Sequence, residues 1–164
     1  MYTEEDWSDF EACYSAYDKS KVLAEKAAWE FHASLSDSER FDLVTLIPGL
    51  ILGPGLVQGE FSSMNYLRMI VLGFMPAYPD IRTPLVDIRD LAHAHLQAIK
   101  VEEAKNQRII MSNSAPHFRE MCETLSAHYG ERFPKIPKVP MPQCPPAFPR
   151  FALIWGKDFD LDKS

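Results

Sequence analysis

Tyr17-Asp18-Lys19-Ser20-Lys21-Val22-Leu23-Ala24-Glu25-Lys26-Ala27-Ala28-Trp29-Glu30-Phe31 is the stretch on which the reading of this chain turns. Its pattern predicts a helix running to about Leu35. Residues four apart in a helix lie one above the other, so Tyr17 and Lys21 share a face. That face continues through Ala24, Ala28, Phe31 and Leu35, which reads as a packing surface. The ammonium of Lys21 puts a positive charge where a phenolate would form, and a tyrosine so placed can pass a proton to or from a substrate oxygen. A packed tyrosine beside a solvated lysine has the same spacing, so the flanking sequence has to separate the two readings.

Working outward, residues 2–16 have no period and read as a loop, with Thr3 and Asp6 at the spacing of a capped turn. After the helix, Ser36-Asp37-Ser38 is a break. Leu43 to Ile47 reads as a buried strand, and Pro48, which has no N–H to donate, is expected to end its ladder. Gly53-Pro54-Gly55 is a turn signal. The spacing Gly53-x-Gly55-x-x-x-Gly59 looks like a dinucleotide-binding loop but fails physically. Pro54 offers no N–H to a phosphate, and the next helical pattern starts only near Ser62-Ser63 instead of at the glycines. Gly73 to Pro84 reads as a loop, and Leu85-Val86 as a short extended piece. Asp87 is placed to cap an amphipathic helix carrying Ile88, Leu91, Ala92, His95, Leu96 and Ile99. Arg108 to Met111 reads as a second strand, and Pro116 as the opening of a helix with Phe118, Met121, Cys122, Leu125 and Tyr129 inward. Prolines recur from Phe133 to Pro149, which predicts an ordered or extended loop.

At 164 residues the chain has the length of one domain. Its formal net charge of −6 argues against a nucleic-acid partner. Cys13, Cys122 and Cys144 are scattered and form no disulfide framework or Cys-x-x-Cys pair, which suits a reducing, cytoplasmic setting. His93 and His95 are two apart and point to different faces of their helix, so no zinc pair is expected. The polar, acidic amino terminus does not read as a signal peptide, and no apolar run reaches the roughly 18 residues of a membrane span.

Tyr17-x-x-Ser20-Lys21-x-x-Ala24-Glu25-Lys26-Ala27-Ala28-Trp29 resembles the active-site helix of the extended short-chain dehydrogenase/reductases, within the NAD-dependent epimerase/dehydratase superfamily. The resemblance is to the branch of dihydroflavonol reductase, cinnamoyl-CoA reductase and the yeast-type carbonyl reductases. Three more segments follow in the family's order. They are Leu46 to Pro54, Leu85 to His95, and Phe118-x-Glu120-Met121 through Ile136-Pro137 to Phe159-Asp160-x-Asp162-Lys163. The resemblance implies an α/β fold: a partial Rossmann-like doubly wound domain with a substrate-binding part. On this reading residues 1–164 are the later part of one reductase domain, without its amino-terminal glycine-rich half and truncated at both ends.

It further implies hydride transfer between NADP(H), or NAD(H), and a small carbonyl or alcohol. Tyr17 would be the general acid and base, and Lys21 would support it and bond the nicotinamide ribose. Pro48, Gly49 and Ile51 would line the nicotinamide, and Ser63 would approach the pyrophosphate. Met64, Leu67, Met75 and Tyr78 are either substrate wall or ordinary core. Three other readings stay open: a 3β-hydroxysteroid dehydrogenase or sugar-nucleotide epimerase relative, an inactive remnant, or a chain that acts by binding. Only the strands at Leu43–Ile47 and Arg108–Met111 are legible as sheet, so an exposed sheet edge and self-association through it are expected.

Overall fold

The computed structural model of the chain describes residues 3–13, 15–57, 59 and 62–141. The sequence match from Phe159 to Lys163, the prolines beyond Met141 and Cys144 lie outside the described residues. Among the described residues, those before Val44 form one compact unit and those from Val44 onward a second.

The first unit is organised by helix α1, Ala16–Ser34. Ser15 starts it with a capping box: its Oγ accepts from the Asp18 N–H at 3.0 Å, and Asp18 Oδ2 accepts from the Ser15 N–H at 3.1 Å. Two of the N–H groups that every helix start leaves unpaired are thereby satisfied. The loop before α1 opens with the expected turn, in which the Thr3 N–H donates to Asp6 Oδ2 at 2.7 Å. Lys19 lies over the Phe10 ring at 4.7 Å and Lys26 over the Trp7 ring at 5.9 Å, so this loop runs along α1 through cation–π contacts. The packing stripe expected at Ala24, Ala28, Phe31 and Leu35 is not buried, and Phe31 is exposed. The buried side instead centres on His32, whose Nε2–H donates to the Phe41 carbonyl at 2.6 Å between the rings of Trp29 and Phe41.

The second unit holds two two-stranded parallel sheets. Strand β1, Thr45–Pro48, pairs with β4, Arg108–Met111; strand β2, Leu50–Leu52, pairs with β3, Leu85–Asp87. Pro48 ends the β1 ladder, as its missing N–H led us to expect. It is the last residue of β1, opposite Met111, and the Gly49 N–H takes up the next bond, to the Met111 carbonyl at 3.0 Å. Gly49 is then the single residue between the two sheets. A Cβ there would run into the Pro84 carbonyl, so only glycine fits at this crossing. The expectation of two strands is corrected to four among the described residues, because three-residue strands such as β2 and β3 carry too little pattern to be read.

Helices lie between the strands. Helix α2, Ser62–Val71, packs against β2, and helix α3, Ile88–Lys100, follows β3 directly. Asp87 caps α3 as expected, its side chain accepting from the Arg89 N–H at 2.8 Å. Gly53 turns the chain at φ +140, facing Ile88 where a side chain would collide. Helix α4, Phe118–Tyr129, starts two residues after Pro116 and is capped by His117, whose Nδ1 accepts from the Arg119 N–H at 3.1 Å. The core of this unit joins Tyr66 and Ile70 of α2, Met75 and Tyr78 of the following loop, Phe118 and Cys122 of α4, and Ile136. Tyr66 and Phe118 meet edge to face at 5.6 Å. Burial pushes the Tyr66 phenol up from its ordinary value, with the nearby Cys122 adding to the effect. On α3, by contrast, only Leu91 is buried, while Leu96 and Ile99 stay exposed, Ile99 at 84%.

Candidate active site

Tyr17 and Lys21 stand one turn apart near the start of α1, as their spacing requires. The Lys21 ammonium lies 5.4 Å from the centre of the Tyr17 ring. Both side chains are exposed, Tyr17 at 64%, and the phenol is open to a reactant. Ser20 turns back onto the helix, its hydroxyl donating to the Tyr17 carbonyl at 2.7 Å. The capping box of Ser15 and Asp18 fixes the backbone under this pair, a support that the sequence carries as Ser-x-x-Asp and that was not read from it.

The other sequence-derived site residues belong to the second unit. Pro48 is the exposed carboxyl-terminal residue of β1, and Ile51 is the half-buried centre of β2, opposite Val86. Gly49 joins them. Ser63 lies in the first turn of α2 with a half-buried side chain. Pro48, Gly49 and Ile51 are thus grouped where the chain crosses from one parallel pair to the other, and Ser63 follows on the helix that packs on β2. Of the possible substrate-wall residues, Met75 and Tyr78 are core, whereas Met64 is on the surface.

Gly53 to Gly59 does not open a helix, since α2 begins at Ser62. Among the described residues no group of three or more His, Cys, Asp or Glu side chains could hold a metal ion. No described helix is long and apolar enough to cross a membrane.

Parallel strands joined through helices, with a Tyr-x-x-x-Lys helix, define part of a Rossmann-like α/β reductase domain. Comparison with known proteins agrees with this class. The chain is 31% identical to the NADPH-dependent methylglyoxal reductase of Saccharomyces cerevisiae over 140 residues, 78% of this chain and 41% of that protein. It is 31% identical to cinnamoyl-CoA reductase 2 of Arabidopsis thaliana over 160 residues, 95% of this chain and 46% of that one. Among solved structures, Gre2 of Candida albicans in complex with NADPH superposes with a TM-score of 0.68 at 30% identity, covering 84% of this chain and 44% of the other. No protein-family model matches the chain. The chain's homologues are thus yeast Gre2-type reductases and cinnamoyl-CoA reductases, of the NAD-dependent epimerase/dehydratase superfamily. The chain spans less than half the length of these relatives.

Proposed function

We propose that the chain carries the proton-transfer helix and the nicotinamide-side strand of an NADPH-dependent carbonyl reductase. The observation that supports this most is the pairing of Tyr17 and Lys21 on one face of a capped helix, with the ammonium 5.4 Å from the phenol ring. Tyr17 gives its proton to the carbonyl oxygen during reduction. Lys21 keeps a positive charge beside the phenol and bonds the nicotinamide ribose. The residues present fit the nicotinamide end of such a cofactor. Pro48 ends a parallel strand, and ligands of open α/β sheets sit outside the carboxyl ends of the strands. When bound, the cofactor supplies the hydride. Pro48, Gly49 and Ile51 form the surface against the nicotinamide, and Ser63 faces the pyrophosphate side. The substrate is a small carbonyl compound, in keeping with the methylglyoxal reductase among the relatives.

The test uses this chain joined behind the amino-terminal half of the Saccharomyces cerevisiae relative. Tyr17→Phe is expected to lower kcat by about 10²–10⁴-fold, the usual worth of a positioned general acid, with NADPH affinity nearly unchanged. Lys21→Ala is expected to weaken both turnover and NADPH binding. Full turnover by the phenylalanine variant would end the catalytic reading.

A further inference from the structure

Apart from the tyrosine–lysine helix, the second unit holds a cleft of about 270 Å³ between α4 and the segment that follows it. Helix α4 supplies one wall with Arg119, Cys122, Glu123 and Ser126, which recur every three or four residues and so share a face. Pro137 and Lys138 form the opposite wall, and Tyr78 lies between. The walls are held at a fixed separation. The Tyr78 N–H donates to the Val139 carbonyl at 3.0 Å, the Met141 N–H donates to the Tyr78 carbonyl at 2.7 Å, and Cys122 and Ile136 are both in the core.

Two features mark this cleft as more than a surface dent. Tyr78 is only 6% exposed, yet its hydroxyl has no hydrogen-bond partner among the described residues. No fully buried side-chain oxygen or nitrogen among those residues lacks a partner, so this hydroxyl reaches the surface, and Tyr78 is one of the residues that line the cleft. A tyrosine hydroxyl that reaches the surface, on a ring otherwise buried, is free to bond water or a bound solute. The second feature is charge. Glu123 lies 3.8 Å from Arg119 and offsets it, whereas Lys138 makes no ion pair or hydrogen bond among the described residues. The cleft therefore offers one unopposed ammonium, the hydroxyls of Tyr78 and Ser126, and apolar surface from the Tyr78 and Pro137 rings.

We infer that this cleft binds a small organic carboxylate with a flat or short apolar body. The carboxylate accepts from the Lys138 ammonium and the Tyr78 hydroxyl, and the body lies against the two rings. The volume is below the roughly 300–1,000 Å³ of drug-sized sites, which restricts the ligand to about one ring. This site is independent of the proton-transfer role of Tyr17 and holds or fails without it.

Benzoate is a suitable probe, titrated into the isotope-labelled full chain at neutral pH and followed by the amide resonances of residues 119–126 and 136–141. Saturable shifts in both segments are expected. Lys138→Met is expected to weaken binding about tenfold, as the loss of one charge-assisted hydrogen bond does, and neutral benzamide to bind at least as much more weakly. Tyr78→Phe, which keeps the ring, is expected to weaken benzoate several-fold while leaving the spectrum otherwise dispersed. The inference is overturned if the shifts do not saturate, if both variants bind benzoate as the parent does, or if benzamide binds equally well. A parent chain without dispersed resonances for these segments would also overturn it, because the walls exist only if the Tyr66–Phe118 core is packed.

Discussion

Side chains that cap helices set much of the local geometry, and Asp87 is the sharpest case. Its carboxylate accepts hydrogen bonds from the Arg89 guanidinium at 2.6 and 2.9 Å and from the Arg89 N–H at 2.8 Å. The side-chain bonds to Arg89, then the backbone bond, hold the carboxyl down at about 2 from its ordinary 3.8. A carboxyl lowered on folding stabilises the folded state above its unfolded value. That contribution is present above about pH 4 and is lost as the pH falls through about 2. The Asp87 carboxyl carbon should titrate near pH 2 by NMR, and Arg89→Ala should return it toward 3.8; a parent midpoint near 4 would show that the pair does not form in solution. Asp87 was legible because an acidic residue before an apolar-periodic run is a common helix start. His117 was not, since histidine is a rare cap. Only the distances reveal that its Nδ1 serves the Arg119 N–H while its Nε2–H faces Asp80 Oδ1 at 2.9 Å. Cys122 was read as inward, and burial pushes its thiol up to about 11. At pH 8 it is a packing residue and not a nucleophile.

Among elements, the helices were legible and the short strands were not. The Tyr17 helix, the Asp87 helix and the Arg108–Met111 strand stand within a residue or so of where their patterns put them. Strands β2 and β3 have three residues each, and their pairing is decided by where Gly49 and Pro84 bring two distant segments together, which no local pattern contains. The inward face of α1 was misread because a stripe of alanines and leucine looks like a buried seam, whereas here Trp29 and His32 close on Phe41. Stability of α1 should depend on the box at its start. Ser15→Ala removes the acceptor for the Asp18 N–H and should cost about 0.5–2 kcal/mol, with faster amide exchange in the first turn containing Tyr17 and Lys21. Unchanged exchange there would mean that water replaces the cap at no cost.

At the scale of the whole molecule, the sheets and the apolar surface tell the same story. Parallel sheets in proteins are covered on both faces, and two-stranded ones are marginal. Here each strand has one ladder neighbour among the described residues, and α3 presents Leu96 and Ile99 to solvent. Strand edges and apolar helix faces of this kind favour association of copies. Sedimentation velocity of the chain alone should show concentration-dependent dimers or larger species. A monomer across a hundredfold range of concentration would show that these surfaces are inert. The expected self-association was drawn from the scarcity of strands in the sequence; the four strands among the described residues form two separate pairs, and this measurement is its test.

The central claim is that this chain supplies the proton to a carbonyl reduced by NADPH. The most direct measurement joins the chain to the amino-terminal half of the Saccharomyces cerevisiae methylglyoxal reductase and supplies NADPH deuterated at the transferred position, with methylglyoxal as substrate. Deuterium should appear at the former carbonyl carbon of the alcohol, at a rate that falls by about 10²–10⁴-fold in Tyr17→Phe while NADPH still binds. A folded, NADPH-binding joined protein that transfers deuterium equally fast with phenylalanine at position 17, or transfers none to the carbonyl carbon, would contradict the claim.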